Sequence, residues 1–349
     1  MKNWSDKNFV FSPALDLVFS WAFSCKSLYK EIPMIKRFCF MTLIVVALSF
    51  TNFVLADVFY VASDGSDTSP YDTWAKAATD PQVAIDLAAD TSGGPHQVWV
   101  KKGVYKPQFN PHTETIIPRE FCFALCNNVE IYGGFIGSET LLSQMDYETN
   151  QTILSGDRGD PDTWANGTEI VEGTVFNPPP TGDPSQDLPV GNNSTNCYHV
   201  IYNPDQLPQI DATAVLDGFI ITGGNADSTS PNDAGGGIYN YSSSPTLSNC
   251  TVSGNVASGG GGGTCNYSGA STILINCNYL GNLSLDEGYY TGGGGIYNYY
   301  STPTFINCII IGNLSYDDGG GLYNVGANIS LTNCIFTNNS ASAEGGINN

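Results

Sequence analysis

From residue 235 onward, short apolar stretches alternate with glycine, serine and asparagine turns on a fixed beat. Glycine runs lead into an apolar step at Gly235-Gly236-Gly237-Ile238-Tyr239-Asn240 and Gly261-Gly262-Gly263-Thr264-Cys265-Asn266. They do so again at Gly293-Gly294-Gly295-Ile296-Tyr297-Asn298 and Gly319-Gly320-Gly321-Leu322-Tyr323-Asn324, with a last version at Gly345-Gly346-Ile347-Asn348-Asn349. The residue after each run (Ile238, Thr264, Ile296, Leu322, Ile347) recurs after 26, 32, 26 and 25 positions. An Asn-Cys pair keeps the same time: Asn249-Cys250, Asn276-Cys277, Asn307-Cys308 and Asn333-Cys334, spaced 27, 31 and 26. Five residues beyond each Cys stands Asn255, Asn282, Asn313 or Asn339. Both series absorb one longer interval, which falls between Asn282 and Gly292.

A unit of about 26 residues cannot bury an apolar face alone, so the repeat predicts stacking. Short β-rich runs such as Pro303–Cys308 and Ile309–Ile311 would pair in parallel with their equivalents one coil away, at about 4.8 Å. The expected fold is all-β, a single-stranded right-handed parallel β-helix. In it Cys250, Cys277, Cys308 and Cys334 form an inward ladder of small apolar thiols. Asn249, Asn276, Asn307 and Asn333 sit beside them at turns, where asparagine tolerates left-handed backbone and can bond the next coil's amide.

Ahead of residue 235 the pattern is looser. Val98–Val100, Val129–Tyr132, Thr152–Leu154, Val200–Tyr202 and Val215–Ile221 read as strands, and residues 177–196 as a Pro, Gly and Asn-rich loop excursion. Asp80-Pro81 followed by Val83, Ala84, Leu87 and Ala88 reads as a short amphipathic helix, with an N-cap and Pro in its first turn. It would cap the first coil, as a solenoid end requires. The coils therefore divide into an irregular part, 57–234, and a regular part, 235–349. The latter stops mid-repeat, so truncation at the C-terminus is expected.

Met34-Ile35-Lys36-Arg37, an apolar run Phe38–Phe50 and Ala56 have the layout of a signal peptide over residues 34–56, cleaved before Asp57. An uncleaved N-terminal anchor is the alternative. Residues 1–33 then read as an upstream extension ahead of a true start at Met34. Cleavage removes Lys2, Lys7, Lys26, Lys30, Lys36 and Arg37, and with them Asp6, Asp16 and Glu31. The bases left are Lys76, Lys101, Lys102, Lys106, Arg119 and Arg158, and none follows Arg158. A surface so acidic repels nucleic acid and anionic lipid, which need basic patches.

The GGG-Ile-Tyr-Asn steps, together with Phe336-Thr337-Asn338-Asn339, resemble polymorphic outer membrane protein repeats, with Val252, Tyr279 and Ile310 standing where the Phe would be. Tyr60–Asp67, Val98–Tyr105 and Ile131–Thr140 resemble pectate-lyase-like β-helix proteins of bacterial surfaces. Together the likeness spans roughly residues 57–349. It implies the fold more than the function, since lyases, hydrolases, adhesins and passenger domains share it. Polymorphic proteins also carry a C-terminal membrane barrel, which is not read in these residues.

Lyases of this fold use Arg or Lys as base, and the repeats hold neither. Asp317-Asp318 is a carboxylate pair without a nearby His or base, and reads as a loop pair. His199, two residues after Cys197, reads as a strand-edge histidine rather than a zinc ligand. Lys101 and Lys102 are expected to flank a strand-end turn, and Cys122 and Cys126 to share one face of a strand. Export permits disulfides, yet the ladder cysteines suit a buried thiol stack as well.

The acidic residues ahead of the glycine runs, Asp227, Asp233, Asp286, Glu287, Asp317, Asp318 and Glu344, would fall on one stripe. That stripe is either a solvated face or a weak calcium site centred on Asp286, Glu287, Asp317 and Asp318. No other cofactor is expected. The expected role is that of a secreted or outer-membrane surface protein, structural or adhesive and non-enzymatic. Its partners would be extracellular carbohydrate or a host or neighbouring cell surface, with no nucleic acid and no membrane integration of this segment. The alternative is a carbohydrate-active enzyme, a polysaccharide lyase or glycoside hydrolase, acting on extracellular polysaccharide.

Overall fold

The computed structural model describes residues 56–158, 195–285 and 292–349. Residues 1–33, the expected leader apart from Ala56, most of the 177–196 loop, and Asp286 and Glu287 lie outside the described residues.

The chain winds so that equivalent short strands of successive coils pair in parallel on four faces. The first face holds Val58–Val61, His96–Lys101, Val129–Phe135, Val215–Asp217, Thr246–Ser248, Ile273–Ile275, Thr304–Ile306 and Ser330–Thr332. The second runs from Gly103–Tyr105 and Thr152–Ser155 through Phe219–Thr222, Thr251–Ser253, Asn278–Leu280 and Ile309–Ile311 to Ile335–Thr337. The third is made of two-residue strands, from Asn225–Ala226 to Ser340–Ala341. The fourth runs from Ile201–Asn203 through Ile238–Tyr241, Thr264–Tyr267, Ile296–Tyr299 and Leu322–Val325 to Ile347–Asn348.

The register is that of the repeat. Ile238 pairs with Thr264, Thr264 with Ile296, Ile296 with Leu322 and Leu322 with Ile347. Each coil buries one side chain per ladder. Leu216, Leu247, Leu274 and Phe305 form one ladder, and Ile221, Val252, Tyr279 and Ile310 another; all are buried. The core is thus continuous from coil to coil, which is how a unit too small to fold alone gains its burial.

The corners explain the turn residues. Asn249, Asn276, Asn307 and Asn333 take φ of 51°, 54°, 55° and 53° between the first and second faces. Asparagine is among the few L-residues that visit this left-handed region readily. At the glycine corner the reason is space: a Cβ on Gly263 would stand 2.5 Å from the Gly295 carbonyl oxygen and 3.0 Å from the Tyr279 ring.

Helix α1, Pro81–Asp90, forms as expected, with the Asp80 side chain accepting from the Gln82 N–H at 2.9 Å. Its Ala84, Ile85 and Ala88 join the core beside the first three strands of the first face. Two expectations are corrected. Val215–Ile221 is not one strand: Gly218, at φ 80°, turns it from the first face to the second. Cys122 and Cys126 do not lie on a strand; the segment touches the sheets through a single bridge, Phe123 to Ile201. Among the described residues no helix is long and apolar enough to cross a membrane.

Candidate functional site

The corner between the first and second faces carries two ladders side by side. Cys250, Cys277 and Cys308 point inward and are fully buried, while Cys334 is half-buried. Each thiol donates to backbone carbonyls of its own coil and the one before, as Cys277 does to Ile275 at 3.4 Å and Leu247 at 3.5 Å. The eight described cysteines are free thiols. Burial pushes the Cys277 thiol well up; for Cys308 the hydrogen bond with Cys277 leads and burial follows. Such thiols stay protonated and pack as small apolar groups.

The asparagines beside them face outward. Asn276 donates to Asn249 at 3.1 Å, Asn307 to Asn276 at 3.1 Å and Asn333 to Asn307 at 2.8 Å, and Asn249 ends the row on Asp217 at 2.8 Å. Asn276, Asn307 and Asn333 are exposed, so a rail of amides runs along the corner at one-coil spacing.

That rail edges a groove on the second face. Its floor is Phe219, Ile220, Thr251, Ser253 and Asn278; Asn249 and Asn276 form one side, and Tyr147, Glu148 and Gln151 the other. The Tyr147 side comes from a segment laid over Gly218, where a Cβ would sit 2.5 Å from Met145 and 2.9 Å from Tyr147. Gly218 therefore both turns the strand and seats the groove wall. Burial raises the Tyr147 phenol, and Glu148, Asp217 and Asp146 raise it further, so the groove lies in a negative field. Amides, hydroxyls and a phenol in a row suit a hydroxyl-rich ligand, neutral or cationic rather than anionic.

The remaining candidates settle into the framework. His199 is buried, not at a strand edge: it stacks on Tyr202 at 4.9 Å, with Nδ1 2.9 Å from the Gly235 carbonyl and Nε2 3.1 Å from Asn232 Oδ1. Burial pushes its pKa down to about 4. Lys101 ends a strand and pairs with Asp64 at 2.7 Å. Asp227 meets Arg119 at 2.6 Å, across 108 residues of sequence. Asp318 and Asp317 lie on the glycine corner, their carbonyls accepting from Gly293 and Ser342. The aligned corner position one coil after Asp233 is Gly259, whose N–H donates to the Asp233 carbonyl. Among the described residues no three His, Cys, Asp or Glu side chains converge to hold a metal ion.

Two further ladders escaped the sequence reading. Asn203, Asn240, Asn266, Asn298, Asn324 and Asn349 form a side-chain amide chain through the fourth face, with links such as Asn266 to Asn298 at 2.9 Å. Asn255, Asn282, Asn313 and Asn339 form another, at 3.1, 2.9 and 2.9 Å. Their signal was the period itself; what it did not show was that these amides point inward.

Residues 211–349 match the family model described as a right handed beta helix region. Comparisons with curated proteins and with solved structures returned no match. The matched region and the parallel faces together make this chain a right-handed parallel β-helix protein.

Proposed function

We propose that the chain is an exported, surface-displayed β-helix with a structural and adhesive role, and that the groove beside the Asn249–Asn333 rail holds extracellular carbohydrate. The observation that carries this reading is the rail: exposed amides at one-coil spacing beside Thr251, Ser253 and Asn278. A polymer lying along the axis would meet an amide of the rail at each coil, with Thr251 and Asn278 beside it and then Ile309 and Ile335. The negative field at Tyr147 favours neutral over uronate chains. Calorimetry on neutral and uronate oligosaccharides tests this, run both with millimolar Ca²⁺ and with chelator. The expected result is saturable binding of a neutral chain, weakened roughly tenfold, about 1.4 kcal/mol, by Asn278→Ala or Tyr147→Ala. Undiminished binding in both variants, or preference for uronates, would overturn the site. Dependence on Ca²⁺ would add the weak cation site at Asp286, Glu287, Asp317 and Asp318.

The second reading, cleavage of the bound chain, draws on Glu148 in the groove and Asp217 near Tyr147. Glycoside hydrolysis divides acid and base or nucleophile roles between two carboxyl groups. New reducing ends that appear with the wild type and vanish in Glu148→Gln would favour it over adhesion.

A further inference from the structure

Many of the ladder asparagines begin the sequence Asn-x-Ser/Thr, the acceptor for N-linked glycans, which belongs on the surface loops of secreted proteins. Among the described residues such acceptors stand at Asn150, Asn240, Asn266, Asn282 and Asn313, and also at Asn249, Asn328 and Asn338. The first five are not on the surface. Asn150 is 9% exposed and the other four are 0% exposed.

Their Nδ2 groups are also committed. Asn240 donates to Asn266 Oδ1 at 3.1 Å and Thr272 Oγ1 at 3.3 Å. Asn282 donates to the Val252 carbonyl and Asn313 Oδ1, both at 2.9 Å. Asn313 donates to the Tyr279 carbonyl at 3.0 Å and Asn339 Oδ1 at 2.9 Å. Both amide hydrogens are used in each case.

Glycan transfer from a lipid-diphosphate-linked oligosaccharide forms an Nδ2–C1 bond and breaks the C1–O bond to the carrier diphosphate. The displaced hydrogen leaves as a proton. At Asn240, Asn282 and Asn313 one of these hydrogen bonds is lost, and at every one of the five a polar sugar is placed at a buried position. Transfer acts on the chain as it enters the exported space, before coils can stack. We infer that the coil stack is incompatible with N-glycosylation at Asn150, Asn240, Asn266, Asn282 and Asn313, so that a chain glycosylated there during export cannot complete its ladders. Exposed Asn328 and Asn338 are the described acceptors that can carry a glycan in the folded state. Asn249, half-buried on the outer rail, is intermediate.

The inference rests on the exported reading, so its test bypasses the chain's own leader. The chain from Asp57 onward, with its own leader replaced by the host's, is sent into the secretory pathway of a eukaryotic host, with and without an inhibitor of lipid-linked oligosaccharide synthesis. Glycan occupancy is mapped by peptide mass in the protease-resistant and protease-sensitive fractions. We expect the resistant fraction to carry no glycan at the five buried acceptors, the sensitive fraction to carry them, and the inhibitor to raise the resistant yield severalfold. A second arm uses Ser242→Ala, Ser268→Ala, Ser284→Ala and Ser315→Ala together, which removes four acceptors but keeps every asparagine; it should raise the uninhibited yield. A glycan on Asn240, Asn266, Asn282 or Asn313 in protease-resistant protein overturns the inference. So does an equal resistant yield with and without inhibitor. Failure of export by the native leader, read separately from cleavage at Ala56, would leave this result standing.

Discussion

At the scale of single residues, the departures from the repeat carry as much information as the repeat. Thr264 stands where other coils have Ile or Leu, and Tyr279 where they have Ile, Val or Phe. The two meet in the core: Thr264 Oγ1 lies 2.8 Å from the Tyr279 hydroxyl, both groups buried. A small residue on one face makes room for a large one from another, and the two hydroxyls satisfy each other. Sequence showed both exceptions but not their contact, because they project from different faces into one interior. Tyr279→Phe should cost about 1–3 kcal/mol in denaturant unfolding, since it orphans the Thr264 hydroxyl, and adding Thr264→Val should recover much of that loss. Additive losses in the double variant would mean the hydroxyls do not interact.

His199 is a second such residue. Its folded pKa of about 4 compares with about 6.5 in an unfolded chain. Below about pH 6.5 the unfolded chain binds a proton that the folded one refuses, so this contribution is intact above that pH and lost as pH falls toward 4. Asp80 acts in the opposite sense: burial raises it to about 6, against about 3.9 unfolded, so its folded form gains stability as pH falls through the same window. His199→Gln removes the first effect and keeps the second. Unfolding measured between about pH 7 and 4 should therefore show a smaller acid loss in the variant than in the wild type. Identical slopes would place His199 in solvent.

At the scale of elements, legibility followed periodicity. Where glycine, cysteine and asparagine recur, the residue pairing could be read before any coordinate, down to Ile238 opposite Thr264. The capping helix was equally legible, because Asp80-Pro81 is a local signal with a local cause. What could not be read depends on contacts far apart in sequence. Gly218 makes the corner that Asn249 makes one coil on, without a side chain because the Met145–Tyr147 segment lies over it, and Asp227 finds its partner in Arg119. The groove has the same origin. The rail and the floor residues Thr251, Ser253 and Asn278 fall in the regular repeats, whereas Phe219, Ile220 and the Tyr147 wall come from the irregular part. Asparagine was the least decidable residue, since its amide serves an exposed corner at Asn276 and a buried ladder at Asn282 equally well.

At the scale of the whole molecule, a core shared from coil to coil and three asparagine ladders tie the described coils side chain to side chain as well as strand to strand. Buried amide chains of this kind are stable only when every member is paired, so they enforce register. The acidic balance, 33 Asp and Glu against 12 Lys and Arg, gives a net negative field that repels anionic polymers. Cleavage between Ala56 and Asp57 is the expected processing step; N-terminal sequencing of secreted material should begin at Asp57, and a chain still bearing Met34 would indicate an anchor. The central claim is the in-register stack, and NMR of the side-chain amides tests it most directly. Nδ2 protons of Asn240, Asn266, Asn282, Asn298 and Asn313 should exchange slowly and show cross-coil contacts from each asparagine to its ladder partner. Fast exchange of these amides, or contacts that join Ile238 to any coil position other than Thr264 and Ile201, would contradict the stack.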